Sequence, residues 1–227
     1  MKEAFEVRLP GARAAFSTRR GGASEGPYDS LNLGILTGDE PDRVQANRRH
    51  LAQALGIEEI AMGMQVHGTD VATWDAPSTE LIEVDGHVTG RPGLALLVLT
   101  ADCLPVALAA EGRVAMLHCG WRGIAGGIVA RGVEAFDEPP VAVVGPGIGR
   151  DHFEVGDEVL EAFADVPGAA DGRMLDLRAV AEARLRAAGV RDVRHVDLCT
   201  YERDDLFFSH RRDDGVTGRQ AGLVWLT

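Results

Sequence analysis

LALLVLTADCLPVALAAEGRVAMLHCGWRG, residues 94–123, is the stretch on which the fold turns. Residues 94–100 form a continuous apolar run, the pattern of a strand buried on both faces. Residues 104–109 and 113–117 are two further strands. Glu111-Gly112 between them has the composition of a hairpin turn. Cys103 and His118 stand at the ends of these apolar runs, where a folded sheet exposes side chains to a cleft. Adjacent residues of a strand face opposite ways. His118 and Cys119 are therefore expected to diverge, and so are Asp102 and Cys103 if the strand is regular there.

Outward from this stretch, residues 13–18 read as a strand that opens into a polar, Gly-rich loop over residues 19–39. A loop of that length is usually functional or mobile. Residues 41–55 read as a helix, with Pro41 in its first turn, Val44, Leu51 and Leu55 on one side, and Gly56 as its stop. Residues 60–66 are expected as a strand leading into His67, followed by a strand at 71–74. A helix is expected over 123–136, weakened by Gly126-Gly127. A strand at 141–144 ends in Gly145-Pro146-Gly147. Helices follow at 156–163 and 176–188, the second capped by Asp176 and stopped by Gly189. Residues 219–226 close the chain as a strand. Strands and helices mix without strict alternation, so the expected class is α+β, in one domain over residues 1–227.

The chain has 227 residues and a net charge of −12. Its acidity argues against a nonspecific nucleic-acid or membrane surface. No signal peptide is read at the start and no apolar run reaches membrane-spanning length, so a reduced cytoplasm is the expected compartment. Of the 23 basic residues all but Lys2 are Arg, which contacts phosphate in bidentate fashion. Composition bias accounts for most of them.

His67 in QVHG, Cys103 in TADC and His118 in HCGWRG offer two imidazoles and a thiolate, a set that suits zinc better than magnesium or calcium. Their wide separation differs from the close pairs of structural zinc sites and suits an active site assembled by folding. Three protein ligands leave a position for water or substrate. Taken singly, each residue has a plainer reading: a lone Cys as a small core residue, a lone His as a hydrogen-bonded one. The same three residues also suit a cysteine hydrolase, with Cys103 as nucleophile and His118 or His67 as its base. A metal-stabilised binding protein is the third class. A multicopper oxidase needs more histidine than the seven this chain has, none of them in an HxH pair.

These motifs resemble the laccase-domain, or polyphenol oxidoreductase-like, family, also known by its peptidoglycan editing factor type. The resemblance extends through FSTRRGGASEGPYDSLNLG, VGPGIGRDHFEVGDEV and FFSHRRDDGVTGRQAGLVWL. Its one visible departure is Cys119, where the family usually has Ala. The resemblance implies layered mixed sheets and Zn2+ held by His67, Cys103 and His118, with Cu2+ able to occupy the same donors in vitro. It implies phosphorolysis of purine nucleosides to free base and ribose 1-phosphate, with adenosine deaminase and methylthioadenosine phosphorylase activities besides, or a copper-loaded polyphenol oxidase activity. The implied partners are purine nucleosides and phosphate.

Arg19, Arg122 and Arg211 are the candidate phosphate contacts, because each stands in or beside a Gly-rich or ligand-bearing segment. Asn32 is a candidate sugar or base contact, though an Asn also stabilises its own turn. Trp121, Phe153, Phe207 and Phe208 are candidate faces for a purine, or core residues. Asp102 and Asp85 are alternative proton shuttles for deamination, and the sequence leaves the choice open.

Overall fold

The computed structural model describes residues 3–80 and 82–227. The first half runs β1 (Ala4–Leu9), β2 (Ala12–Ser17), α1 (Pro41–Leu55), β3 (Glu59–Ala61), β4 (Val71–Thr73), β5 (Gly86–Thr89), β6 (Leu94–Thr100), β7 (Leu104–Ala110) and β8 (Arg113–Cys119). The second half runs α2 (Trp121–Gly126), α3 (Ile128–Val133), β9 (Val141–Val144), α4 (Asp157–Ala162), β10 (Ala170–Asp171), β11 (Met174–Leu175), α5 (Leu177–Ala187), β12 (Val193–His195) and β13 (Gln220–Leu226).

Two mixed sheets carry the architecture, which is α+β as expected. One has the order β1-β2-β13-β6-β3, the other β12-β9-β7-β8-β5-β4, and β10 and β11 pair separately. The alternation of side chains assigns each strand's residues to layers. Leu94, Leu96 and Val98 of β6 meet Ala107, Val114 and Met116 of the second sheet in one buried cluster. Ala95 and Leu97 face the other way, onto Leu51 of α1 and Leu31 and Leu33 of the long loop. Val106, Leu108, Ala115, Leu117 and Cys119 face helices α2 to α5. The order is helix, sheet, sheet, helix, and β6, β7 and β8 are apolar on both faces because both faces are covered.

The β7–β8 hairpin has the expected turn, with Ala110 opposite Arg113. Asp176 caps α5, accepting a hydrogen bond from the Ala179 N–H at 3.0 Å. The loop over residues 19–39 is irregular but pinned. Asn47 of α1 donates to Ser24 Oγ and to the carbonyls of Ser30 and Asn32.

Two expectations need correction. The strand expected over 60–66 stops at Ala61. Beyond it the Gln65 amide takes the place of a strand ladder, donating to the Leu99 carbonyl and accepting from its N–H, each at 2.7 Å. The helix expected over 123–136 begins at Trp121 and breaks in two at Gly127, whose φ of 98° is left-handed. The strands β1, β5 and β12 were not anticipated; β1 alternates Phe5, Val7 and Leu9 with polar residues, and β5 and β12 are too short for periodicity to show.

Met116 is fully buried between the sheets. Met116→Ala should lower the unfolding free energy by about 2–5 kcal/mol. A denaturant titration giving a loss under about 1 kcal/mol would show that this layer is loosely packed.

Candidate metal centre

His67, Cys103 and His118 come together: one donor atom from each lies within 4.8 Å of the others. Cys103 Sγ stands 3.9 Å from His67 Nε2, and the two imidazoles meet edge to face with centroids 4.8 Å apart. His118 belongs to β8 and is buried, Cys103 lies in the bend between β6 and β7, and His67 is exposed in the bend after β3. His118 has the strand phase of Met116 and so opens at the end of the layer between the sheets. Cys119, opposite in phase, is buried against the helices, diverging from His118 as strand alternation requires.

Asp85 builds this site. Its carboxylate has no exposure and accepts hydrogen bonds from three successive backbone N–H groups, those of Val66, His67 and Gly68, at 2.8–3.0 Å. That nest holds His67 at a φ of 60°, a left-handed conformation that costs a non-Gly residue energy. The Nδ1–H of His118 donates to the same carboxylate at 2.7 Å, which leaves Nε2 facing Cys103. A carboxylate behind a ligating imidazole fixes its tautomer and raises its basicity. Burial would raise the Asp85 pKa, but the His118 and backbone hydrogen bonds outweigh it and the net shift is downward.

The electrostatics favour a charged pair. Burial would push the Cys103 thiol up, yet His118 and His67 bring it down to about 6. Burial would likewise lower His118, but the Cys103 thiolate and the Asp85 hydrogen bond raise it to about 9. Burial pushes the Cys119 thiol well up. Gly120 completes the fit. A Cβ there would stand 2.9 Å from His67 Cδ2 and 3.2 Å from Cys103 Sγ, so only glycine leaves the donors room. Two imidazoles, one thiol and a carboxylate behind one of them form a donor set able to hold a borderline divalent metal ion.

The three donors lie on a cavity of about 500 Å³. Arg122 and Arg211 line it, their guanidinium groups lying over Trp121 at 4.3 Å and over Phe153 at 5.5 Å. Arg19 does not line it: its Nε and Nη1 donate to the carbonyls of Asp29 and Asp204. Asn32 is fully buried and spent on its own loop, donating to Thr37 and Asp39 and accepting from the N–H groups of Gly34 and Arg219. Phe207 and Phe208 are core. Of the two candidate shuttles, Asp85 is committed behind His118. Asp102 accepts from Thr200 Oγ1 at 2.6 Å and from the Arg211 N–H at 2.7 Å. The bend at Asp102, with φ of 87°, breaks the strand alternation there.

Sequence reasoning missed two cations. Arg48 and Arg219 both line the cavity. Burial lowers the pKa of each, and Arg48 Nη2 is buried without a hydrogen-bond partner. Arg219 also feels the charges of Cys103 and Asp102. The signal for Arg219 was its place just before an apolar strand; Arg48 stands in a polar helix face and gave none.

In metal-free protein Cys103 should be alkylated with a rate midpoint near pH 6, not near 9. Asp85→Asn, which removes the negative charge behind His118 Nδ1–H, should move that midpoint upward. A thiolate favoured in the fold contributes stability present above its unfolded pKa and lost as pH falls through 6; His118 contributes stability lost as pH rises through 9. From the ordinary values of 9.0 and 6.5 the two slopes oppose and nearly cancel, so metal-free stability should be almost flat between pH 6.5 and 9, and a steep slope across that range would refute the pairing. Cys119→Ala, remote in phase from the ion, should leave alkylation of Cys103 unchanged.

Comparison with known proteins places this chain among relatives. The sequence profile of the multi-copper polyphenol oxidoreductase laccase family matches residues 13–227. The purine nucleoside phosphorylase YfiH of Escherichia coli (strain K12) is 40% identical over 95% of this chain and 94% of its own length. A purine nucleoside phosphorylase of Streptomyces coelicolor is 42% identical over 95% of this chain and 96% of its own. The crystal structure of YlmD from Geobacillus stearothermophilus superposes with a TM-score of 0.90 at 33% identity, covering 96% and 93% of the two chains. The chain belongs to the multi-copper polyphenol oxidoreductase laccase family.

Proposed function

We propose that this chain is a zinc-dependent purine nucleoside phosphorylase. It cleaves a purine nucleoside with phosphate to free base and ribose 1-phosphate, and it deaminates adenosine and phosphorolyses methylthioadenosine at the same centre. The observation that carries the reading is the ionised His67–Cys103–His118 triad on a cavity walled by arginines and aromatic faces. The names of relatives at about 40% identity supply the purine and the phosphate. Three free cysteines and an acidic surface suit a cytoplasmic enzyme.

A zinc ion held by these side chains supplies Lewis acidity at its open position, and copper competes for the same donors. The chain's own residues do the rest. Asp85 holds the proton on His118 Nδ1 and keeps Nε2 as the donor atom. The Trp121 and Phe153 rings flank the flat base, each backed by a guanidinium. Arg219 and Arg122 bind phosphate, Arg219 in the half-buried wall and Arg122 at the rim; Arg211 and Arg48 add positive charge.

Zinc-loaded protein given inosine should release hypoxanthine only with phosphate present, whereas ammonia release from adenosine should persist without it. Cys103→Ala should abolish both and remove the zinc held at this centre while the fold survives. Arg219→Ala should retain zinc but lose about ten- to hundredfold in phosphate-dependent kcat/KM. Unchanged zinc content in Cys103→Ala, or no free base and no ammonia above that control, would sink the proposal.

The thiolate–imidazolium pair also supports a cysteine hydrolase. That reading requires amide or ester cleavage that survives zinc removal and stops on alkylation of Cys103.

A further inference from the structure

A second set of donor atoms lies behind the wall of the cavity. The imidazole of His152, the thiol of Cys199 and the carboxylate of Glu202 each present one atom, and all three lie within 4.8 Å of one another. We propose that His152, Cys199 and Glu202 form a second site for a divalent borderline cation, zinc first, that clamps two segments of the cavity wall together.

The residues arrive from different places. His152 ends a short helical turn, Arg150–His152. Cys199 and Glu202 lie beyond β12, and Cys199 bridges to Gly147. Each donor is aimed. The His152 ring stacks on Tyr201, with centroids 4.2 Å apart and planes 10° from parallel, which fixes its plane. Its Nε2 meets Glu202 Oε1 at 3.1 Å. The Gly149 N–H donates to Cys199 Sγ at 3.1 Å, a contact that stabilises negative charge on sulfur.

The plainer account is a surface His–Glu ion pair beside a core cysteine. Such a pair contributes little by itself. It makes no use of the buried sulfur that the Gly147–Cys199 bridge brings to the same point. Around zinc, bonds of about 2.0–2.1 Å to nitrogen and about 2.3 Å to sulfur set tetrahedral N···S separations near 3.6 Å. The exposed Glu202 side chain can close the remaining distance. The first triad meets the same 4.8 Å limit. Imidazole, thiolate and carboxylate together favour zinc over magnesium or calcium.

The position gives the ion its consequence. Phe153, next to His152, lines the cavity. Thr200, next to Cys199, donates to Asp102, the neighbour of Cys103. An ion at this point joins the segment of residues 147–153 to that of residues 199–212, and so braces Phe153 and Arg211.

The experiment is zinc content by atomic emission after dialysis against zinc-buffered solution. Wild type should hold about two ions per chain, Cys103→Ala and Cys199→Ala about one each, and the double variant almost none. In the Cys103→Ala protein, cobalt should give a thiolate charge-transfer band and zinc should raise Tm; both effects should vanish in the double variant. His152→Ala and Glu202→Gln, made in the Cys103→Ala protein, should each weaken zinc binding at least about tenfold, which tests the site even if Cys199→Ala misfolds. The proposal is overturned if folded Cys103→Ala holds no zinc, or if zinc content is the same with and without Cys199. If Cys103→Ala keeps all the zinc and Cys199→Ala loses it, this site stands and the zinc-dependent reading of the first triad fails.

Discussion

A carboxylate with no exposure to water, that of Asp85, accepts four hydrogen bonds: three from the backbone of Val66, His67 and Gly68, and one from His118 Nδ1. A buried charge is tolerated only when its lone pairs are satisfied in this way. The cost is offset by what the carboxylate organises. It shapes the bend that carries His67 and orients the ring of His118. His118 in turn depresses the Cys103 pKa, so the thiol depends on Asp85 indirectly.

The double-sheet architecture places this group. Asp85 precedes β5, and β5 pairs with β8, which brings His118 alongside; the His118 N–H also donates to the Asp85 carbonyl at 2.7 Å. Cys103 sits where the chain leaves one sheet at Thr100 and enters the other at Leu104. The site thus forms where a strand pair crosses between layers. Regular pairing stops there, and side chains such as Gln65 and Asp102 satisfy the backbone instead. Cys119 illustrates the same logic from the other side. It adjoins a ligand in sequence, but strand alternation turns it into the helix-facing core.

Much of this was legible in the sequence, for identifiable reasons. Residues 94–123 carry long apolar runs and a two-residue turn, so β6, β7 and β8 were readable from pattern alone. The clustering of His67, Cys103 and His118 was readable because His and Cys at the ends of such runs are chemically conspicuous. The role of Asp85 was not, because its partners are mostly backbone N–H groups that no side-chain pattern reports. Arg48 and Arg219 were missed for a related reason: the cavity joins a helix, a long loop and the final strand, and no local motif records that meeting. Arg19 and Asn32 stood in a conspicuous motif, yet their polar atoms are used within the fold. The motif marks a loop that must be pinned, and the cavity takes its cations from elsewhere.

In the metal-free protein at neutral pH, the proton that a free thiol would hold sits on His118, since Cys103 is drawn to about 6 and His118 raised to about 9. The sulfur is ionised before any cation arrives, and only the imidazole must release a proton to become a ligand. Because Asp85 accepts from Nδ1 in either protonation state, losing the Nε2 proton leaves the ring in place. The attraction between thiolate and imidazolium is surrendered when a cation takes the proton's position, but the cation carries more charge and draws both groups. Site and proton therefore compete for one geometry, and the fold preserves that geometry whichever of them is bound.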